Sequence, residues 1–279
     1  MPKRSIYESK ILYIITQGHW GGEQKYVADL AINLSKIPEY EVTVDCGEKS
    51  EDLFTAIKDT QIKTNQLRHL VRAINPIQDI QGIFEIVTLL KTEQSDIAHI
   101  SSSKAGFLTV LAHQWLKITN STNYHTKLIY TAHGWVFMEP LAWPKKFIFL
   151  LMERIAANLR NATIVLSQKE KNIALKYGTA KNNSLFVIPN GINCNSINFL
   201  DKISARKIIE NKLNKSFDNQ QPWIGTIANL YKTKGIGVLI QAAAQLINNK
   251  QTPYFFVIGE GPERANLETL IKKLNLSNY

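Results

Sequence analysis

Apolar and polar positions along the chain fall into two alternating rhythms. Short runs rich in Ile, Val and Tyr recur at 10–16 (KILYIIT), 40–46 (YEVTVDC), 96–100 (DIAHI), 127–133 (KLIYTAH), 162–167 (ATIVLS) and 185–190 (LFVIPN). Each reads as a buried strand. Between them lie longer segments whose apolar residues stand three and four apart. EQKYVADLAINLSK sets Val27, Leu30, Ala31 and Leu34 on one helical face, and IQDIQGIFEIVTLLKTE does the same with Ile80, Ile83, Phe84 and Val87. KAGFLTVLAHQWLK, a segment around 145–160, and QKEKNIALKYG supply further helices. This alternation predicts right-handed βαβ units and a doubly wound parallel sheet over residues 1–190. After PNGIN the rhythm restarts: a polar helix at 201–214, then QPWIGTIANL, KGIGVLIQAAAQLI, PYFFVIG and ERANLETLIKKLNL. Two strands with their helices do not close a doubly wound domain. The expectation is therefore an α/β chain with a Rossmann-like domain at 1–190 and a partial second one at 191–279.

In open α/β sheets ligands bind outside the carboxyl ends of the strands, and the unusual residues here sit at such ends. Five candidate loops on the same edge of two sheets predict a cleft between two domains. GHWGGEQKY follows the first strand, and its glycines admit two readings. One is a tight turn. The other is a bare helix N-terminus at Gly21 and Gly22 that lets an anion or sugar approach the backbone. SSSKAG follows the strand ending at Ile100, where Ser103 or a neighbour is either a helix N-cap or a ligand contact, beside Lys104. TAHGWVF places His133 before Gly134, either as a packed structural histidine or as a site residue. Glu153 and Arg154 read as a surface ion pair or as a brace for neighbouring loops. NLYKTKG puts Lys234 at the first turn of a helix, where an ammonium and free N–H groups meet a diphosphate. GEGPE offers Gly259 and Gly261 for close approach around Glu260, with the alternative of a helix-leading turn and Pro262 at its first position.

Composition narrows the partners. The chain has 279 residues, is 44% hydrophobic and carries a formal charge of +10. That excess is spread evenly over the two portions, so it reads either as a solvated basic surface or as a match for an anionic membrane or phosphorylated ligand. Basic tails and aromatic–basic stacking strips are absent from the pattern, which argues against nucleic acid. Cys46 and Cys194 match no metal or disulfide spacing. PKRSIYESK has no signal-like apolar core, and FIFLLM at 147–152 is far too short to span a bilayer. A cytoplasmic, soluble chain is the expectation. The stretch WVFMEPLAWPKKFIFLL mixes Trp, Phe and Lys, and reads either as a helix packed in the core or as a peripheral membrane contact.

The order and spacing of these motifs resemble the family-four glycosyltransferases, which have the two-domain GT-B fold. The resemblance rests on GGEQKYVADLA, HISSSKAG, YTAHG, ER before TIVLS, VIPNGIN, IGTIANLYKTKG and VIGEGPERANLETL, and it covers nearly the whole chain. It points to bacterial enzymes of capsule, exopolysaccharide or lipopolysaccharide assembly. It implies retaining, metal-independent transfer of a sugar from a nucleotide-diphosphate sugar to a saccharide or lipid-linked acceptor, with no cofactor beyond that co-substrate. By resemblance the glycine loop with Gly21 and Gly22 borders the donor phosphates and acceptor. His133 lies next to the transferred sugar, Lys234 pairs with the diphosphate, and Ser103 and Lys104 lie on the acceptor side. The loop with Gly259, Glu260 and Gly261 is on the donor side.

Two departures stand out. Many members carry an Arg where this chain has Asn229, and Lys232 is near enough in sequence to replace that charge. The family's pair of Glu residues eight positions apart belongs beyond GEGPE, and Tyr279 falls where the next strand is expected. A C-terminally truncated chain is therefore expected. The alternative function is a non-catalytic remnant or split-enzyme subunit that binds an acceptor or a partner chain.

Overall fold

The computed structural model describes residues 9–119, 124–194, 197–218, 220–249 and 252–278. Residues 2–8 and Tyr279, on which two of the expectations above rest, lie outside them. The chain divides into two compact units, Met1–Gly191 and Ile192–Tyr279.

Unit 1 is built on a seven-stranded sheet in the order β3-β2-β1-β4-β5-β6-β7, with every pairing parallel. The strands are β1 (Ser9–Gln17), β2 (Tyr40–Glu48), β3 (Lys63–Gln66), β4 (Ile97–Ser101), β5 (Lys127–Ala132), β6 (Ala162–Val165) and β7 (Leu185–Val187). The helices are α1 (Gly22–Leu34), α2 (Glu51–Ile57), α3 (Pro76–Glu93), α4 (Ser103–Thr119), α5 (Trp143–Leu159) and α6 (Gln168–Tyr177). Because side chains alternate across a strand, β1 feeds both layers. Leu12 and Ile14 join one core with α3 and α4, while Ile11, Tyr13 and Ile15 join the other with α1 and α2. The strand order reverses between β1 and β4. Their carboxyl ends therefore flank the point where open α/β sheets leave a crevice.

Local chemistry sets several boundaries. Asn75 accepts hydrogen bonds from the N–H groups of Ile77 and Gln78 at the start of α3, with Pro76 in the first turn. Ser167 caps α6, which ends on left-handed Gly178. Helix α2 and strand β3 have no counterpart in the apolar pattern. Strand β3 is KTNQ, exposed along its length, and it forms because the edge of β2 offers an unfilled ladder.

Two open alternatives are narrowed here. Helix α5 packs Ala156 and Ala157 into the core, while Trp143, Phe147, Leu151 and Ile155, four apart along one stripe, are exposed, so it has both a core face and a free apolar face. Glu153 and Arg154 are not a surface pair. Glu153 is buried and bonded to Arg160 at 2.9 Å, and Arg154 donates to the Tyr177 carbonyl.

Unit 2 holds α7 (Lys202–Leu213), the parallel pair β8 (Trp223–Ile227) and β9 (Tyr254–Ile258), α8 (Ile236–Asn248) and α9 (Arg264–Lys273). Leu230, Ile236, Ile240, Ala243 and Leu276 form its core. Among the described residues, no helix is long and apolar enough to cross a membrane.

Candidate functional site

A cavity of about 1100 Å³ opens in unit 1 at the carboxyl ends of β1, β4 and β5. Thr16, Glu23, Ser103, Lys104, Tyr130 and His133 are in its lining, with Arg72 and Lys145 adding positive charge.

The glycine loop divides by role. A Cβ on Gly18 would sit 2.7 Å from the Lys49 carbonyl oxygen, so that glycine serves chain packing. A Cβ on Gly22 would meet nothing within 4 Å. Gly21 occupies the N-cap position with no side chain to satisfy the first N–H groups of α1. Packing thus explains Gly18 and leaves Gly22 unexplained.

Across the switch point, Thr16 and Ser102 clasp the ends of β1 and β4. Their hydroxyls lie 2.6 Å apart, the Thr16 N–H donates to the Ser102 hydroxyl, and the Ala105 N–H donates to Thr16 Oγ1. Ser102 is held at φ 98°, a region costly for a residue with a Cβ. Ser103 is not seen capping α4: its hydroxyl is 3.2 Å from that of Tyr130, which in turn donates to Glu153. The Arg160 guanidinium covers the Tyr130 ring at 3.8 Å while holding Glu153, forming a buried support under the cavity. Lys104 lines the cavity, yet its ammonium is engaged. It meets Asp79 at 2.5 Å and donates to the Ala73 carbonyl, which fixes the loop carrying Arg72.

His133 follows β5. Gly134 takes φ 123°, which lets the chain turn there and seat Trp135 and Phe137 in the core. The His133 ring packs edge-on against Tyr26 at 4.8 Å. Its Nε2 is shielded from solvent without a hydrogen-bond partner. Burial lowers its pKa to about 4, so the ring is neutral near pH 7. Thr131 sits between His99 (2.7 Å) and Tyr26 (3.2 Å), and His99 is likewise lowered to about 4 by burial and then by His133.

Sequence reasoning missed Glu23. It stands in the first turn of α1, lines the cavity, and has an Oε1 that is shielded and unpaired. Burial raises it to about 7, against a smaller opposing pull from Arg72. In sequence it looks like an ordinary acidic residue at a helix N-terminus.

Unit 2 gathers its own loops at the ends of β8 and β9. The Leu230 N–H donates to the Glu260 carbonyl and the Glu263 N–H to the Leu230 carbonyl, joining the segment with Asn229 to the segment with Gly259 and Gly261. A Cβ on Gly259 would fall 1.9 Å from the Ala228 oxygen, so this glycine is demanded by contact with β8's continuation. The side chain of Glu260 pairs with Arg264. Lys232 and Lys234 lie exposed in a 3-10 turn at Lys232–Lys234. Lys234 is thus one residue short of the α8 cap, Gly235, rather than in the first helical turn. Helix α9 begins at Arg264, so Pro262 precedes it in a turn.

Fold and site together define a doubly wound α/β protein whose switch-point cavity sets a few polar and charged groups in a largely apolar wall. Residues 20–196 match Glycosyltransferase Family 4, and residues 207–279 match Glycosyl transferases group 1. The chain belongs to Glycosyltransferase Family 4 and has the α/β architecture of GT-B proteins. It is 24% identical over 226 residues to the Escherichia coli UDP-Gal:alpha-D-GlcNAc-diphosphoundecaprenol alpha-1,3-galactosyltransferase, covering 80% of this chain and 55% of that protein. It is 26% identical over 205 residues to the Staphylococcus aureus capsular polysaccharide biosynthesis glycosyltransferase CapM, covering 72% of this chain and 51% of that one. Among solved structures, a Rickettsia africae glycosyltransferase superposes with a TM-score of 0.67 at 19% identity, over 98% of this chain and 67% of that one. That structural likeness speaks to the fold. The chain spans about half the length of the two curated relatives.

Proposed function

We propose that this chain acts in bacterial cell-surface polysaccharide biosynthesis, transferring a sugar from a nucleotide-diphosphate sugar to a lipid-linked saccharide with retention of configuration and without a metal. The observation that carries the reading is His133, neutral and with an unpaired Nε2, in a cavity at the switch point of a family-four sheet. A neutral imidazole offers a hydroxyl of the transferred sugar a hydrogen bond without a competing charge. The bond from the anomeric carbon to the diphosphate oxygen breaks, the bond to the acceptor oxygen forms on the same face, and the acceptor proton passes to the departing phosphate. Within unit 2, the exposed ammonium groups of Lys234 and Lys232 suit the negative charge of a diphosphate. The apolar wall of Leu141, Ile148 and Phe149 beside Lys145 suits an acceptor with a lipid tail and a phosphate. The exposed stripe of α5, with Lys145 and Lys146 at its start, suits the surface of an anionic membrane.

The test is nucleotide release, measured by chromatography, from UDP-, GDP- and dTDP-hexoses in the presence of extracted lipid-linked saccharides. Release that His133→Ala and Lys234→Ala each abolish, with the fold intact by circular dichroism, is the expected result. Undiminished release by both variants overturns the assignment of the site.

A further inference from the structure

We propose that Glu23 recognises the acceptor sugar, its carboxyl binding a sugar hydroxyl in the unit 1 cavity. The inference rests on the transferase reading above and adds a specificity residue to it. A structural role does not account for this side chain. An acidic group in the first turn of α1 gains from the helix's positive end, but that gain is far smaller than the cost of shielding a carboxyl oxygen without a partner. The neighbouring Gln24 does carry a structural contact, donating to the Gln17 carbonyl and tying α1 to the end of β1. Asp45, another acid that burial raises to about 7, also has an unpaired oxygen, but Asn65 donates to its second one and it is not part of the cavity lining.

The groups around Glu23 favour a hydroxyl as the ligand. Arg72 is the cation whose charge reaches it, and Tyr130 and Cys46 feel its charge from β5 and β2. Glu48, also in the lining, is occupied by the Arg72 N–H. A carboxyl balanced between its two protonation states near neutral pH accepts a hydrogen bond in one form and donates in the other, matching the dual character of a sugar hydroxyl. His133 lines the same cavity and also has a shielded polar atom, Nε2, without a partner, and Trp135 contributes an aromatic wall.

The test uses the full chain with octyl β-D-glucopyranoside and octyl β-D-galactopyranoside below micellar concentration, and octyl triethylene glycol as a tail-only control. Binding is followed by tryptophan fluorescence and calorimetry. The wild type is expected to bind at least one glycoside more tightly than the control. Glu23→Ala is expected to weaken that binding at least fivefold while Glu23→Gln, which keeps an acceptor and a donor, stays within twofold. Equal binding by the wild type and Glu23→Ala overturns the role of Glu23 and leaves the cavity as a saccharide site. A wild type that prefers neither glycoside to the control removes the acceptor reading itself, and this inference with it.

Discussion

Glu23→Gln should make the protein more stable, and the gain should grow with pH. The unpaired Oε1 means that ionisation of Glu23 in the folded state is opposed by burial, and its pKa stands at about 7 against an ordinary value of 4.5. Below pH 4.5 the carboxyl is protonated in both folded and unfolded chains, so it contributes no pH-dependent penalty. Between 4.5 and 7 the unfolded chain ionises first and stability falls. Above 7 both are ionised and the penalty is constant. At ~1.4 kcal/mol per pKa unit, the ceiling on that penalty is roughly 3 kcal/mol. The neutral amide escapes it. The advantage of Glu23→Gln over the wild type should therefore rise by about 2.5 kcal/mol between pH 5 and pH 8. Urea unfolding of both proteins at the two pH values measures it, with the m-values checked for equality. An advantage that stays flat with pH refutes the reasoning, because it would place an unrecognised partner on the carboxylate. A binding residue that costs stability when unliganded is a familiar trade-off.

Other perturbations follow from the same physics. Glu153→Ala leaves the Arg160 guanidinium uncompensated beneath the cavity and should cost about 3–5 kcal/mol in urea unfolding, with Glu153→Gln costing less. Gly259→Ala forces a methyl group into the Ala228 carbonyl and should destabilise unit 2 by about 3 kcal/mol or more, read as faster proteolysis of that unit with unit 1 spared. Trp143→Ser or Phe147→Ser should reduce co-sedimentation with phosphatidylglycerol vesicles about tenfold, since each aromatic is worth about 1.5–3 kcal/mol on burial. Phosphatidylcholine vesicles should bind weakly throughout. Unchanged sedimentation of both variants would dissociate α5 from the membrane.

Apart from α2 and β3, the strands and helices of both units were legible because their information is local. An apolar run of five or six residues, or a face repeating at 3.6, is decided within one segment of chain. So was the candidate status of His133, because a histidine before a glycine at a strand end needs little context to look unusual. The hidden parts depended on distant neighbours. KTNQ becomes a strand only because β2 leaves a ladder unfilled beside it. Lys104 looks like a free cation until Asp79 and the Ala73 carbonyl are folded against it. Glu153 reads as a partner for Arg154 until the end of α5 brings Arg160 onto it and onto Tyr130. Glu23 shows the limit most clearly. Its type and place in the helix are written in the sequence, but its unpaired oxygen and raised pKa arise from a cavity whose walls come from the start of α4, from β5 and from the loop carrying Arg72. Desolvation is set by everything that packs around a group, and only tertiary structure assembles those walls.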